Sequence, residues 1–392
     1  MNRRSGFCFG IRTVATAVVM FTVPCLVGCR PAIKREASST SRTGIIVVNP
    51  QFRYAGDFSE GLGRVQVGDD KTGKWGFIDK QGNMSINPQF DFAGDFADGL
   101  AGVRIGDDKT GKWGFIDKQG RFAVNPQFGW TTGFDEGLSA VWVGNTSTGE
   151  CGYIDKQGHF VVNPQFGWCA PFSEGLGAVQ VGTQKTGKWG YIDKQGHLVV
   201  KPQFDWSGPF HDGIAAARIG NSETGKYGYI DKQGHFLVNP QFDEGQQFNE
   251  GLAAVRIGDI KTGNYGYIDK QGHFVVNPQF GEAGEFSEGL AEVRFGDEKT
   301  GKWGFIDKQG RFAVNPQFGP PLWAGIQMDE FHDGLAVVEI GDGDGIKYGY
   351  IDKQGHFLVN PQFGEGHQFS EGLAAVRIGD AKTGRYGYIS RN

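Results

Sequence analysis

The sequence predicts an all-β tandem-repeat array, and three observations carry that expectation. The phrase GKWGFIDKQGRFAVNPQF at 111–128 returns letter for letter at 301–318. Pro-Gln-Phe recurs with its phenylalanine at Phe52, Phe90, Phe128, Phe166, Phe204, Phe242, Phe280, Phe318 and Phe363, a step of 38 residues seven times and of 45 once. Glycine reaches 65 of 392 residues and stands at fixed offsets between short apolar and aromatic runs. That is the pattern of turns between many short strands, not of collagen or a disordered tail. A unit written nine times is a structural module that buries its apolar face only against its neighbours.

From the N-terminus, the first element is an address. Arg3, Arg4 and Arg12 precede an apolar run from Val14 to Val27, too short to span a bilayer comfortably. It ends in Leu26-Val27-Gly28-Cys29, which resembles the bacterial lipobox. The resemblance implies a signal peptide over 1–28, lipid on Cys29, and membrane attachment through that lipid. Arg30, where an Asp would resemble an inner-membrane retention signal, implies the outer membrane if the host has one. Residues 29–43 are polar, rich in Ser and Thr, and read as a tether. The repeat domain fills 44–392.

Each unit holds three runs of strand character: one like GLAAVRIG at 251–258, one like KWGFIDK at 112–118 and one like HFVVNPQF at 273–280. Asp-Lys-Gln-Gly supplies a turn between the second and third, and Asp-Asp-Lys-Thr-Gly a longer loop between the first and second. The proline of Asn-Pro-Gln-Phe cannot donate a ladder hydrogen bond, so it belongs at a strand end or an edge. The reading is therefore a three-stranded antiparallel meander per unit, with the isoleucine of Trp-Gly-Phe-Ile (Ile116, Ile306) facing the interior. Three strands per unit and seven extra residues within 319–331 favour an open superhelical, solenoid-like array. The alternative is a closed, propeller-like ring, because the first unit begins at a Pro-Gln-Phe strand and the last ends one strand short.

Trp-Gly-Phe-Ile-Asp-Lys, the Phe58-Ser59-Glu60-Gly61-Leu62 type of turn and Pro-Gln-Phe together resemble the WG (KWG) repeat family of bacteria, over essentially the whole mature chain. The resemblance implies β-repeat architecture and, often, an envelope location. It implies no single activity.

Stacked units turn repeated positions into columns. Trp75, Trp113, Cys151, Trp189, Tyr227, Tyr265, Trp303, Tyr348 and Tyr386 form one. Its aromatics are the candidate ligand-facing residues, able to stack on sugar rings or organic cations if exposed and to pack the core if not. Glu60, Asp98, Glu136, Glu174, Asp212, Glu250, Glu288, Asp333 and Glu371 form an acidic column. A carboxylate ladder suits divalent cations, but the glycine after each acid points to a capped turn. His159, His197, His235, His273 and His356 share a position with Asn83, Arg121 and Arg311, which argues for solvent-facing turn residues rather than metal ligands. The Gly341-to-Gly345 stretch lacks the distal glutamate of a calcium loop. An oxidising envelope permits a disulfide between Cys151 and Cys169, whose distance the sequence does not supply. No catalytic constellation, metal set or cofactor motif is present. The net charge is −5 for the whole chain and, without the three arginines of the leader, −8, which argues against a nucleic-acid partner. The expected function is a non-enzymatic, lipid-anchored envelope protein whose repetitive surface binds protein partners. The alternative is a cell-wall glycan-binding module using the Trp/Tyr column.

Overall fold

The computed structural model describes residues 44–69, 71–144, 149–319, 330–341 and 345–391. The leader, the tether and Cys29 lie outside them.

The chain forms nine small antiparallel sheets in succession. Blade 1 shows the pattern: Tyr54–Ser59, Leu62–Val67, Lys74–Ile78 and Met84–Phe90, paired in chain order. Among the described residues eight blades thus carry four strands, where the sequence predicts three per unit. In blade 8 the described strands are Ala336–Ile340, Lys347–Ile351 and Phe357–Phe363. The additional strand is the short segment between Pro-Gln-Phe and the acid–Gly pair. Glu60 and Gly61 take φ of 52° and 87°, a two-residue hairpin turn that folds this segment onto the second strand. The other eight acids of the column share that positive φ.

The Trp-Gly glycine has a steric cause. The fourth strand bulges at Asn87-Pro88-Gln89, so Trp75 pairs with Phe90 and Phe77 with Ile86. A Cβ on Gly76 would lie 2.5 Å from the Ile86 carbonyl oxygen and 2.7 Å from Pro88 N. The proline therefore sits in the outermost strand of its blade, at a bulge, as its missing donor requires.

The core lies between blades. Nine apolar clusters each join one blade to the next; Val48, Phe52, Tyr386 and Tyr388 of blade 9 meet Ala55, Phe58, Val65 and Ile78 of blade 1. The residue after the Trp-Gly pair packs on the next blade's first-strand phenylalanine at every interface, as in Phe77–Phe96 and Tyr388–Phe58, with ring centroids 4.8 and 4.9 Å apart. Where that residue is tyrosine, its buried hydroxyl donates to a carbonyl of the next blade, as Tyr388 does to Gly56 at 2.7 Å. Ile116 and Ile306 are fully buried.

The open array is corrected here. Ile45–Phe52 is the fourth strand of blade 9: it pairs antiparallel with Arg385–Ser390, Ile46 opposite Ile389 and Val48 opposite Tyr388. The protein is a closed nine-bladed β-propeller. Closure leaves no blade with an uncovered apolar face, which an open array would have at both ends. The extra residues of unit eight do not obstruct it, since the Ser287 hydroxyl still reaches the Phe331 carbonyl at 2.8 Å.

Candidate functional site

The propeller has two faces of different character. One carries the acid–Gly turns and the Asp-Lys-Gln-Gly turns. The other carries the loops between second and third strands and the connections between blades.

The turn face is spent on holding the ring together. The Glu60 carboxylate accepts the Gly99 N–H of the next blade at 3.1 Å and pairs with Lys118 of that blade at 3.1 Å. All nine column acids accept the N–H of the following blade's glycine, including Glu371 to Gly61 across the closure. The acids do cap turns, but each caps its neighbour's. The positive φ of a non-glycine residue costs about 1–3 kcal/mol, which the clasp and the lysine offset. His159 and His197 are exposed and face Asp155 and Asp193 of their own turns, and Arg121 does the same with Asp117. These turn aspartates are held below the usual carboxylate range by their hydrogen bonds, despite an opposing desolvation effect. Among the described residues no group of three His, Cys, Asp or Glu could hold a metal ion.

The loop face holds the aromatic column. Trp75, Tyr265, Trp303, Tyr348 and Tyr386 are buried, while Trp113, Trp189 and Tyr227 are half-buried. Arginines from the second strand lie across several rings: Arg104 over Trp113, Arg218 over Tyr227 and Arg256 over Tyr265, at 5.7–5.9 Å. Burial pushes the Tyr265 hydroxyl well above its ordinary pKa, and its hydrogen bond to Glu244 adds to the effect. In blade 3 the column residue is Cys151, joined by a disulfide to Cys169 of blade 4, and Trp142 takes the arginine's place and packs on Trp130 and Trp168.

A second column escaped the sequence reading. Two residues after each Pro-Gln-Phe, at the start of the first strand, stand Tyr54, Phe92, Trp130, Trp168 and Trp206, then Glu244 and Glu282, with Glu365 in blade 9. Each described member faces the second-strand residue that itself pairs with the aromatic column, as Trp206 faces Arg218. Five consecutive blades therefore present half-buried aromatics, and later blades present carboxylates paired to Arg256, Arg294 and Arg377. The fixed offset from Pro-Gln-Phe was the available signal. It is hidden because the three strand-like runs of each unit leave this segment without an element of its own.

Two cations break the repeat on the inner side. Arg64 stands where the equivalent positions hold Gly102, Ala140, Ala178, Ala216, Ala254, Glu292, Val337 and Ala375. It pairs with Asp95 of blade 2 at 2.8 Å and lies over Tyr54, Trp75 and Phe92. His367 of blade 9 faces Asp57 of blade 1 at 3.4 Å and Glu365 at 3.8 Å. Clefts open between blades, one of about 480 Å³ beside Trp113 and Trp130 and one of about 340 Å³ beside Trp206 and Tyr227. Half-buried rings, carboxylates and guanidinium groups thus surround open clefts on this face.

Among solved structures, a eukaryotic initiation factor is similar at 12% identity over 81% of this chain and 89% of that one, with a TM-score of 0.56. Oligopeptidase B from Leishmania major is similar at 8% identity over 79% of this chain and 54% of that one, with a TM-score of 0.41. Prolyl oligopeptidase B from Galerina marginata is similar at 12% identity over 79% and 56%, with a TM-score of 0.42. The first likeness is one of fold alone. No curated protein matches the sequence. The WG containing repeat model matches nine segments, 41–71, 75–109, 113–146, 152–183, 189–222, 227–259, 265–298, 303–319 and 348–380. With the Trp-Gly pair explained by the bulge above it and the repeat by the closed ring, the chain belongs to the WG-repeat family.

Proposed function

We propose that this propeller is a non-enzymatic, lipid-anchored cell-envelope scaffold whose loop face binds protein partners. The observation that carries the reading is where the repeats differ. The inter-blade rings and the turn-face clasps hardly change from blade to blade, whereas the loop-face column passes from Tyr, Phe and Trp to Glu. A surface that varies on an invariant frame suits recognition of one particular partner. The burial of Trp75, Trp303 and Tyr386 favours protein binding over a glycan ladder along the Trp/Tyr column, because those rings have no free face to offer a sugar.

Membrane attachment through Cys29 belongs to the same proposal and is supported by the leader and its Leu-Val-Gly-Cys ending. Replacing Cys29 by Ala should leave an unprocessed precursor without acyl label; equal labelling of the two forms would refute the anchor. For the scaffold, a photo-crosslinking residue is placed at Lys109 on the loop face or at Gln119 on the turn face, both exposed. Defined protein adducts are expected from Lys109 and not from Gln119. Retention on purified peptidoglycan without protein adducts would favour the glycan alternative instead.

A further inference from the structure

The fifth residue after each Pro-Gln-Phe phenylalanine, just before the first-strand phenylalanine, is acidic in several blades. Asp57 has His367 from the preceding blade, and Asp95 has Arg64 from the preceding blade. Glu285 of blade 7 stands at the same position, and the preceding blade offers it no cation: Ala254 stands where Arg64 stands, and Gln246 where His367 stands. Among the described residues its carboxylate is met by the amides of Gln247, at 3.2 Å, and Asn249. Burial pushes its pKa up, and the amides of Gln247 and Asn249 and the charge of His211 in blade 5 only partly oppose this.

Beside Glu285 lies the cleft of about 340 Å³, lined also by Trp206, Ala216, Tyr227, Glu244, Gly245, Gln246 and Gln247. Blade 1 explains its shape. Repeat by repeat, Trp206 stands for Tyr54, Tyr227 for Trp75, Gly245 for Ala93, and Ala216 for Arg64. In blade 1 the Arg64 guanidinium lies over Tyr54 and Trp75, donates to the Ala93 carbonyl at 3.0 Å and pairs with Asp95. In blade 5 the arginine is truncated to alanine, Glu244 stands for Phe92 and Gln247 for Asp95, and the carboxylate of Glu285 comes from the blade beyond. What remains is two aromatic faces, the Glu285 carboxylate and the buried Gln246 Oε1, which has no hydrogen-bond donor. Arg218 already lies over the Tyr227 ring, and the cleft adds the Trp206 ring, the carboxylates of Glu244 and Glu285 and an acceptor without a donor, a set that suits a planar, donor-rich cation.

We propose that this cleft binds the side chain of an arginine from a protein partner, laid across Trp206 and Tyr227 as Arg64 lies over Tyr54 and Trp75, with its guanidinium toward Glu285. The proposal rests on the protein-binding reading above and makes it specific. Arginine is favoured over lysine because its plane stacks on the rings while its edge donates.

The test titrates the full chain with Nα-acetyl-arginine methylamide and, as the neutral isostere, Nα-acetyl-citrulline methylamide, by calorimetry. Saturable binding of the arginine probe is expected, with citrulline at least tenfold weaker. Glu285→Gln should weaken the arginine probe at least tenfold. Ala216→Arg should fill the cleft from within, abolish probe binding and raise the melting temperature, and it keeps the test decisive should Glu285→Gln fold poorly. Absence of binding to the wild-type chain, equal binding of citrulline, or undiminished binding to Ala216→Arg would each overturn the proposal. If adducts from Lys109 persist while the probe fails to bind, the scaffold stands and the arginine seat falls. Probe binding without adducts leaves the seat and removes the scaffold.

Discussion

Gly114 lies beneath the Asn-Pro-Gln bulge of its own blade, and a Cβ there would meet the Val124 carbonyl oxygen at 2.5 Å and Pro126 N at 2.6 Å. Both are backbone atoms of a paired strand, so neither can swing aside. Gly114→Ala should therefore destabilise its blade by about 3 kcal/mol or more, the upper part of the usual single-substitution range. Ile116, two residues on and fully buried, is a different case: Ile116→Ala leaves a cavity and should cost about 2–5 kcal/mol. A denaturant titration separates the two, because filling the cavity with a nearby larger residue can rescue Ile116→Ala but not a backbone clash. An unaltered midpoint for Gly114→Ala would refute the bulge account. The sequence displayed this glycine nine times without disclosing its cause. Its constraint is the approach of a strand twelve residues away, and such an approach is invisible until the strands are paired. The interior isoleucine was legible because a strand flanked on both sides within its unit buries its apolar residues whichever face they take, as Phe115 and Ile116 both do.

At the scale of elements, strand number was the part the sequence concealed. The first strand of blades 5, 6, 7 and 9 pairs over only two residues before an isolated bridge near its turn, too short for apolar alternation to register. The acid–Gly pair was the better sign, since two adjacent residues at positive φ make a hairpin and a hairpin needs a strand on each side. One such strand carries the seam between blades 9 and 1. Burial alone would lower the pKa of His367, but hydrogen bonds and charge from Asp57 and Glu365 raise it to about 9. Burial alone would raise Glu365, but His367, Tyr386 and Arg377 bring it down to about 2. The histidine's folded pKa lies above its ordinary 6.5, so its contribution is complete below that pH and fades as pH climbs through about 9. The glutamate's lies below its ordinary 4.5, so its contribution is complete above that pH and fades as pH drops toward about 2. The seam should thus be firmest between about pH 4.5 and 6.5 and lose on the order of 1–3 kcal/mol by pH 9. Melting followed at pH 6 and pH 9 should show the fall in the parent chain and a smaller one in His367→Gln. An identical fall in both would remove His367 from the account.

For the whole molecule the decisive fact is closure, and the sequence offered evidence on both sides. The leftover Pro-Gln-Phe strand at the N-terminus and the missing fourth strand at the C-terminus are complementary, and in the ring they pair. The length of unit eight argued against a ring only if every interface had to be identical. Glu288 nonetheless caps Gly334 across 46 residues as seven of the other acids cap theirs across 39, so the extra chain leaves this clasp in place. Closure carries a mechanical consequence. In an open array each unit leans on two neighbours and the ends fray, whereas in a ring the last blade is as well supported as any other. Residues 363–392 supply three of blade 9's strands, and the fourth, Ile45–Phe52, has no other partner. Removing them exposes the apolar flanks of blades 8 and 1 together, including Phe58 and Val65 on one side and Tyr350 and Val359 on the other. The truncated chain should lose cooperative unfolding throughout, not merely at its C-terminal end. Paired strands lie about 5 Å apart, so spin labels at Val48 and Ile389 of the intact chain should report a short distance, and that distance should lengthen in the same denaturant range in which the blades melt. A long distance in the native chain, or a truncated chain whose remaining blades melt at the parental midpoint, would mean that the ring is not what holds this molecule together.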